Sequence, residues 1–236
     1  MTLNTGTAHR TGTPPANAHI RCISNRLLID SPIGPTTMPT AVAPTSETER
    51  SAADALPQPV RWTRTQYQKL ADAAILPPDT STELIHGHIC TMSPQNSRHA
   101  TTVTLVDAAL RHQYDADSFF FRVQLPLALG PHSEPEPDLA IIEGQPRDFT
   151  EAHPTTALLV VEVADASLPF DRSTKQALYA AHNISTYWIL NLQHACLEVY
   201  TDPQPDCYGT KHTFTADESG TLLRIERSVS VGDLLP

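Results

Sequence analysis

The chain has 236 residues, 40% of them apolar and 18% charged, with 26 acidic side chains against 16 basic and a formal net charge of −10. This length fits one domain of about 150 residues, able to bury about 70% of its unfolded surface, plus an appendage. The composition argues against a membrane span, which needs roughly 20 apolar residues in a row, against a secretory leader, and against the broad basic footprint of a protein that coats nucleic acid.

Residues 1–58 hold no Phe, Trp or Tyr and are rich in Thr, Pro and Ala, as in Thr11-Gly12-Thr13-Pro14-Pro15. Such a segment cannot offset the entropy of ordering, so a disordered tail is expected at 1–58 and a folded domain at 59–236. The apolar patch Leu27-Leu28-Ile29 is too short to change this, and Met38 offers a second point at which translation can begin. The acidity belongs to the body.

From Trp62 onward the pattern becomes regular. Thr63 and Gln66 have capping-box spacing and are followed by Tyr67, Leu70 and Ala74 at helical intervals, which predicts a first helix stopped by Pro77-Pro78. Glu83 to Met92 reads as a hairpin hinged near Gly87. Ser97 is the expected cap of a helix running to about Tyr114, with Val103, Val106 and Leu110 on one stripe. Strands are expected at Phe119 to Leu129, Asp138 to Ile142 and Leu158 to Val163, the last an apolar run interrupted only by Glu162 and so a central strand. A helix at about Arg172 to His182 precedes further strands at Thr186 to Leu192, Cys196 to Tyr200, His212 to Phe214 and Leu222 to Ile225. Interleaved helices and strands predict an α/β fold with a mixed sheet.

Several motifs are missing. Neither a GxGxxG nor a GxxxxGK[ST] loop is present, which removes the backbone cradle for a nucleotide phosphate, and no GxSxG elbow supports acyl chemistry. The four cysteines, Cys22, Cys90, Cys196 and Cys207, share no C-x-x-C spacing, which points away from a zinc knuckle or a disulfide framework and toward a reducing cytoplasm. His86, His88 and Cys90 alternate along one strand, but no fourth ligand accompanies them.

Carboxylates inside apolar strands stand out. Asp138 opens one strand in Glu134-Pro135-Glu136-Pro137-Asp138-Leu139-Ala140, and Glu162 lies near the end of Leu158-Leu159-Val160-Val161-Glu162-Val163. Ionised carboxylates are rarely buried unless paired or bound to a cation, and magnesium takes oxygen ligands from one or two of them plus water and phosphate. Lys175 and Tyr179 follow on one face of the next helix, where a cation can hold a phosphate oxygen or orient a water. The bland alternatives are a turn cap for Asp138, an outward-facing Glu162, a solvated Lys175, an N-cap role for Asp171 and a packed or capping His99.

Taken together, Glu83-Leu84-Ile85-x-Gly87, Met92-Ser93-Pro94 with Arg98-His99, Glu134-Pro135-Glu136-Pro137-Asp138-Leu139-Ala140, Val160-Val161-Glu162-Val163, Asp171-Arg172-x-x-Lys175 and Tyr187-Trp188-Ile189 resemble the Uma-two family, bacterial proteins described as restriction endonucleases. The resemblance spans about Trp62 to Tyr200. It implies a restriction-endonuclease-like, PD-(D/E)XK mixed sheet flanked by helices, with Asp138 and Glu162 as metal-binding catalytic carboxylates and Glu83 as a third. Alanine occupies the usual lysine slot at Ala164, and Lys175 matches a lysine that has migrated to the following helix. The implied function is a magnesium- or manganese-dependent endonuclease acting on DNA in the cytoplasm, without membrane attachment and with a homodimer among its candidate assemblies. The alternatives are a catalytically idle nucleic-acid-binding or assembly module on the same fold, and another metal-dependent phosphoester hydrolase.

Overall fold

The computed structural model of the protein describes residues 18–19, 59–221 and 228–236. Of the expected tail, only Ala18–His19 is among them, as a two-residue strand, β1, whose residues pair antiparallel with Lys211 and Thr210. Leu27-Leu28-Ile29, Met38 and the strand expected at Leu222 to Ile225 lie outside the described residues.

Helix α1 (Arg64–Asp72) begins at the expected capping box, with the Thr63 hydroxyl accepting from the Gln66 N–H. Strands β2 (Thr82–Ile85) and β3 (His88–Thr91) form the expected hairpin. Its two-residue turn, His86-Gly87, has both residues at positive φ, and a side chain at Gly87 would meet Arg61 Cβ at 2.7 Å, so this position needs glycine. His86 is therefore a turn residue and stands apart from the strand that carries His88 and Cys90. Helix α2 (Ser97–Arg111) is capped one residue earlier than expected, by Asn96, whose side chain accepts from the His99 N–H at 2.9 Å.

The main sheet has the order β1-β9-β8-β7-β6-β5-β4, from β4 (Phe119–Val123), β5 (Leu139–Glu143), β6 (Leu159–Ala164), β7 (Thr186–Asn191), β8 (Cys196–Pro203) and β9 (Tyr208–Thr215). Among the described residues only the β6–β7 pair is parallel. The connection between them crosses over through α3 (Leu168–Phe170), a π-helical turn (Asp171–Lys175) and α4 (Gln176–Ala181), a continuous helical segment that starts earlier than Arg172. A small pair, β10 (Ser219–Thr221) and β11 (Ser228–Ser230), precedes a C-terminal 3-10 turn at Val231–Leu234. The strand expected at Phe119 to Leu129 ends at Val123, because Gln124 adopts φ 51° and turns the chain out of the sheet.

Period-two alternation sorts the central strands into two cores. Leu139, Ile141, Val161, Val163, Trp188 and Leu190 pack beneath Val103, Val106 and Leu110 of α2. Ala140, Ile142, Val160, Ala164, Tyr187 and Ile189 pack on the other face with Leu178, Tyr179 and Ala180 of α4. Each fully buried Leu, Ile or Val contributes about 1.5–3 kcal/mol. Being apolar on both faces, β6 must be central, and Glu162 is the one carboxylate within that strand. Cys90 and Cys196 are free thiols, while Cys207 is disulfide-bonded, which the cysteine spacing did not anticipate.

Candidate active site

A cleft of about 780 Å³ opens where β2, β3, the start of β5, the end of β6 and the π turn meet, and it is lined by Glu83, Asp138, Glu162 and Lys175. All four residues singled out from the sequence come together. Glu162 lies on the same face of β6 as Val160 and Ala164, toward the helical crossover. Its Oε1 accepts from Lys175 Nζ at 2.9 Å and from the Tyr179 hydroxyl at 2.7 Å. Lys175 also donates to Glu83 Oε1 at 3.2 Å, and that oxygen accepts the Glu136 N–H at 2.8 Å. The small Ala164 side chain leaves room for this reach from the helix, as period two requires.

Asp138 stands beside this group rather than within it. Its Oδ2 accepts from the Val163 N–H at 2.8 Å and from His99 Nε2 at 3.1 Å, and its Oδ1 from Gln124 Nε2 at 3.3 Å. The Val163 N–H fastens the start of β5 to the end of β6. His99 is thus a partner of Asp138, reached because the Asn96 cap starts α2 at the rim of the cleft. Its pKa is raised: burial opposes the charged form, but the hydrogen bond and charge of Asp138 outweigh that.

Electrostatically the cleft is overloaded with negative charge. Six carboxylates, Glu83, Glu136, Asp138, Glu162, Asp165 and Asp171, face it, against the single ammonium of Lys175. Glu162 and Lys175 are buried, with relative exposures of 4% and 1%. Burial pushes the Glu162 carboxyl well above the usual range, and Lys175 pulls it only part of the way back. For Lys175 burial favours loss of the proton, yet the surrounding carboxylates hold it on more firmly than normal. Asp171 is raised to about 6, chiefly by burial, with Lys175 opposing. It is not the N-cap that the sequence suggested: Ser167 takes that place, and Asp171 sits inside the helical segment.

Glu83 Oε2 is buried without a hydrogen-bond partner. A hard cation satisfies such an oxygen, and the donor set of oxygens fits magnesium or manganese, which need only one or two protein carboxylates and complete their shells with water. Sequence reasoning gave no role to Gln124, Glu136 and Asp165. Glu136 had a legible signal, since alternation in Glu136-Pro137-Asp138 places it on the side of Asp138; Gln124 reaches the site only through its positive φ.

The family profile described as "Uma2: Putative restriction endonuclease" matches residues 64–232, which includes every element of this cleft. The chain belongs to the Uma2 family. A solved structure described as "a putative nuclease belonging to DUF820 from Anabaena variabilis ATCC 29413" superposes with a TM-score of 0.55 at 17% identity, over 75% of this chain and 97% of that one. At that identity the likeness concerns the fold alone. The comparison with curated proteins returns no match. Among the described residues of this Uma2 chain, no helix is long and apolar enough to cross a membrane.

Proposed function

We propose that this cleft hydrolyses phosphodiester bonds of DNA with the help of magnesium or manganese. The observation that carries the reading is the buried Lys175 ammonium held between Glu83 and Glu162, in a cleft whose carboxylates outnumber it. Asp138 and Glu162, with Glu83 beside them, are the residues that would hold the cation. The cation would acidify the attacking water and neutralise charge on the scissile phosphate. Asp138 is aimed by the Val163 N–H, His99 and Gln124. Lys175 orients the water and donates to the oxyanion of the transition state; removing one preorganised donor of this kind slows a reaction about 100- to 1,000-fold. Tyr179 holds Glu162 Oε1 in place for both partners.

Plasmid cleavage assayed with and without magnesium, beside turnover of a small aryl phosphodiester, tests the reading. Cleavage that requires the cation and disappears in Asp138→Asn and Glu162→Gln is the expected result, with magnesium binding and proton release visible by calorimetry. Turnover of the small ester alone would replace DNA with another phosphoester. Neither activity, with DNA still bound, would make the protein an idle binding module.

A further inference from the structure

The π turn at Asp171–Lys175 interrupts the α-helical ladder at the point where the crossover helix passes over the cleft. In the regular ladder the Gln176 N–H would bond to the Arg172 carbonyl; here it is shared between Asp171 O, the π partner, and Ser173 O instead. Returning this turn to α register would rotate one side of the helix relative to the other by one residue, about 100°. Lys175 would then leave Glu162. Something must therefore hold the helix on both sides of the bulge.

On the Lys175 side, the anchor is the pair of contacts from Lys175 and Tyr179 to Glu162 on β6. On the other side, Arg172 reaches in the opposite direction to Glu198 on β8. Its Nε donates to both carboxylate oxygens at 3.1 Å, and its Nη2 donates to Oε1. Glu198 is 1% exposed, and its oxygens also accept from Lys211 Nζ at 2.6 Å, the Tyr200 hydroxyl at 2.8 Å and Asn191 Nδ2 at 3.1 Å. Between these anchors, the Tyr187 hydroxyl on β7 donates at 3.2 Å to Asp171 O, the carbonyl that defines the π register. The anchors stand two strands apart, roughly 10 Å at 4.8 Å per strand.

We propose that Arg172, seated on the Glu198 cluster, is a positioning residue that locks the π register and so places the Lys175 ammonium for the reaction. This rests on the nuclease reading above for its catalytic consequence, though not for its structural one. The lysine stem is flexible, and a displacement near 1 Å at a reacting group can cost about 100-fold in rate.

The chain has three lysines, Lys69, Lys175 and Lys211, so selective ¹³Cε labelling of lysine reports Lys175 directly by NMR. In the full-length protein, Arg172→Met is expected to move the Lys175 signal toward that of an exposed lysine and to speed hydrogen exchange at the Gln176 N–H. Arg172→Lys, which keeps one donor, should restore part of both. Where wild type cleaves plasmid, Arg172→Met should lower kcat about 10- to 100-fold with KM and magnesium affinity within twofold, a split that general loss of structure does not produce. If Arg172→Met fails to fold, Glu198→Gln carries the same test, because it keeps the shape and removes the charge that seats Arg172. An unmoved Lys175 signal with unchanged Gln176 exchange in a folded variant overturns the proposal. A moved signal in a protein whose wild type cleaves nothing supports the positioning role and sinks the nuclease reading alone.

Discussion

Two buried ion clusters flank the same helical turn, and they are built on opposite principles. Around Glu198, one carboxylate is met by Arg172, Lys211, Tyr200 and Asn191. Burial pushes its pKa up, but these donors overcome that and bring it down to about 2. Around Lys175, one ammonium is shared by Glu83 and Glu162 with further acids nearby, Glu162 and Asp171 are held above their normal range, and Glu83 Oε2 has no partner. A saturated cluster has nothing left to bind and serves the fold. An unsaturated one retains capacity for a cation or a substrate, and the fold bears the cost of keeping it so.

The contrast breaks most sharply at Lys175. Lys175→Met should cost about 3–5 kcal/mol in urea unfolding at pH 8, since it strands the buried Glu162 carboxylate, and less at pH 5, where Glu162 can take up a proton. Equal costs at the two pH values would mean that Glu162 stays ionised without its partner. Glu198→Gln comes next, at about 2 kcal/mol, reduced from the buried-pair value because Arg172 and Lys211 are partly exposed to solvent. The folded pKa of Glu198 lies below its unfolded value, so its stabilisation is complete above pH 4.5 and lost as pH falls through about 2. The variant and wild type should therefore converge in strong acid.

Asp171→Asn should have the smallest effect, and the opposite sign. Its folded pKa of about 6 lies above the ordinary 3.8, so the native state is penalised progressively across that interval and fully above it. At about 1.4 kcal/mol per unit, reduced for partial relaxation, the variant should gain about 1–2 kcal/mol above pH 6 and nothing below pH 4. A loss of stability at neutral pH would show that the carboxylate is paired rather than strained.

Much of this was legible from local pattern. The Thr63–Gln66 box, the hairpin turned at Gly87, the apolar run around Glu162 and the helical spacing of Lys175 and Tyr179 each depend on neighbours within a few residues. The Asn96 cap, one residue from the expected Ser97, differs by a choice between two adjacent good caps. What escaped was set by single backbone torsions or by distant partners. Gln124 at φ 51° ends β4, and nothing in Phe119 to Leu129 marks that residue as the turning point.

The amino-acid order by itself determined the α/β alternation, the two-faced core strands and the presence of acids and a lysine with no apolar role, because periodicity records which faces are buried. Only the tertiary structure decided that Asp171 is buried inside a π turn rather than capping a helix, that His99 supports Asp138, and that Arg172 turns away from the cleft to Glu198. The physical reason is that a π register differs from an α register by one hydrogen bond, too little for local propensity to specify. It is selected by contacts to three strands, β6, β7 and β8, which come together only when the sheet has formed.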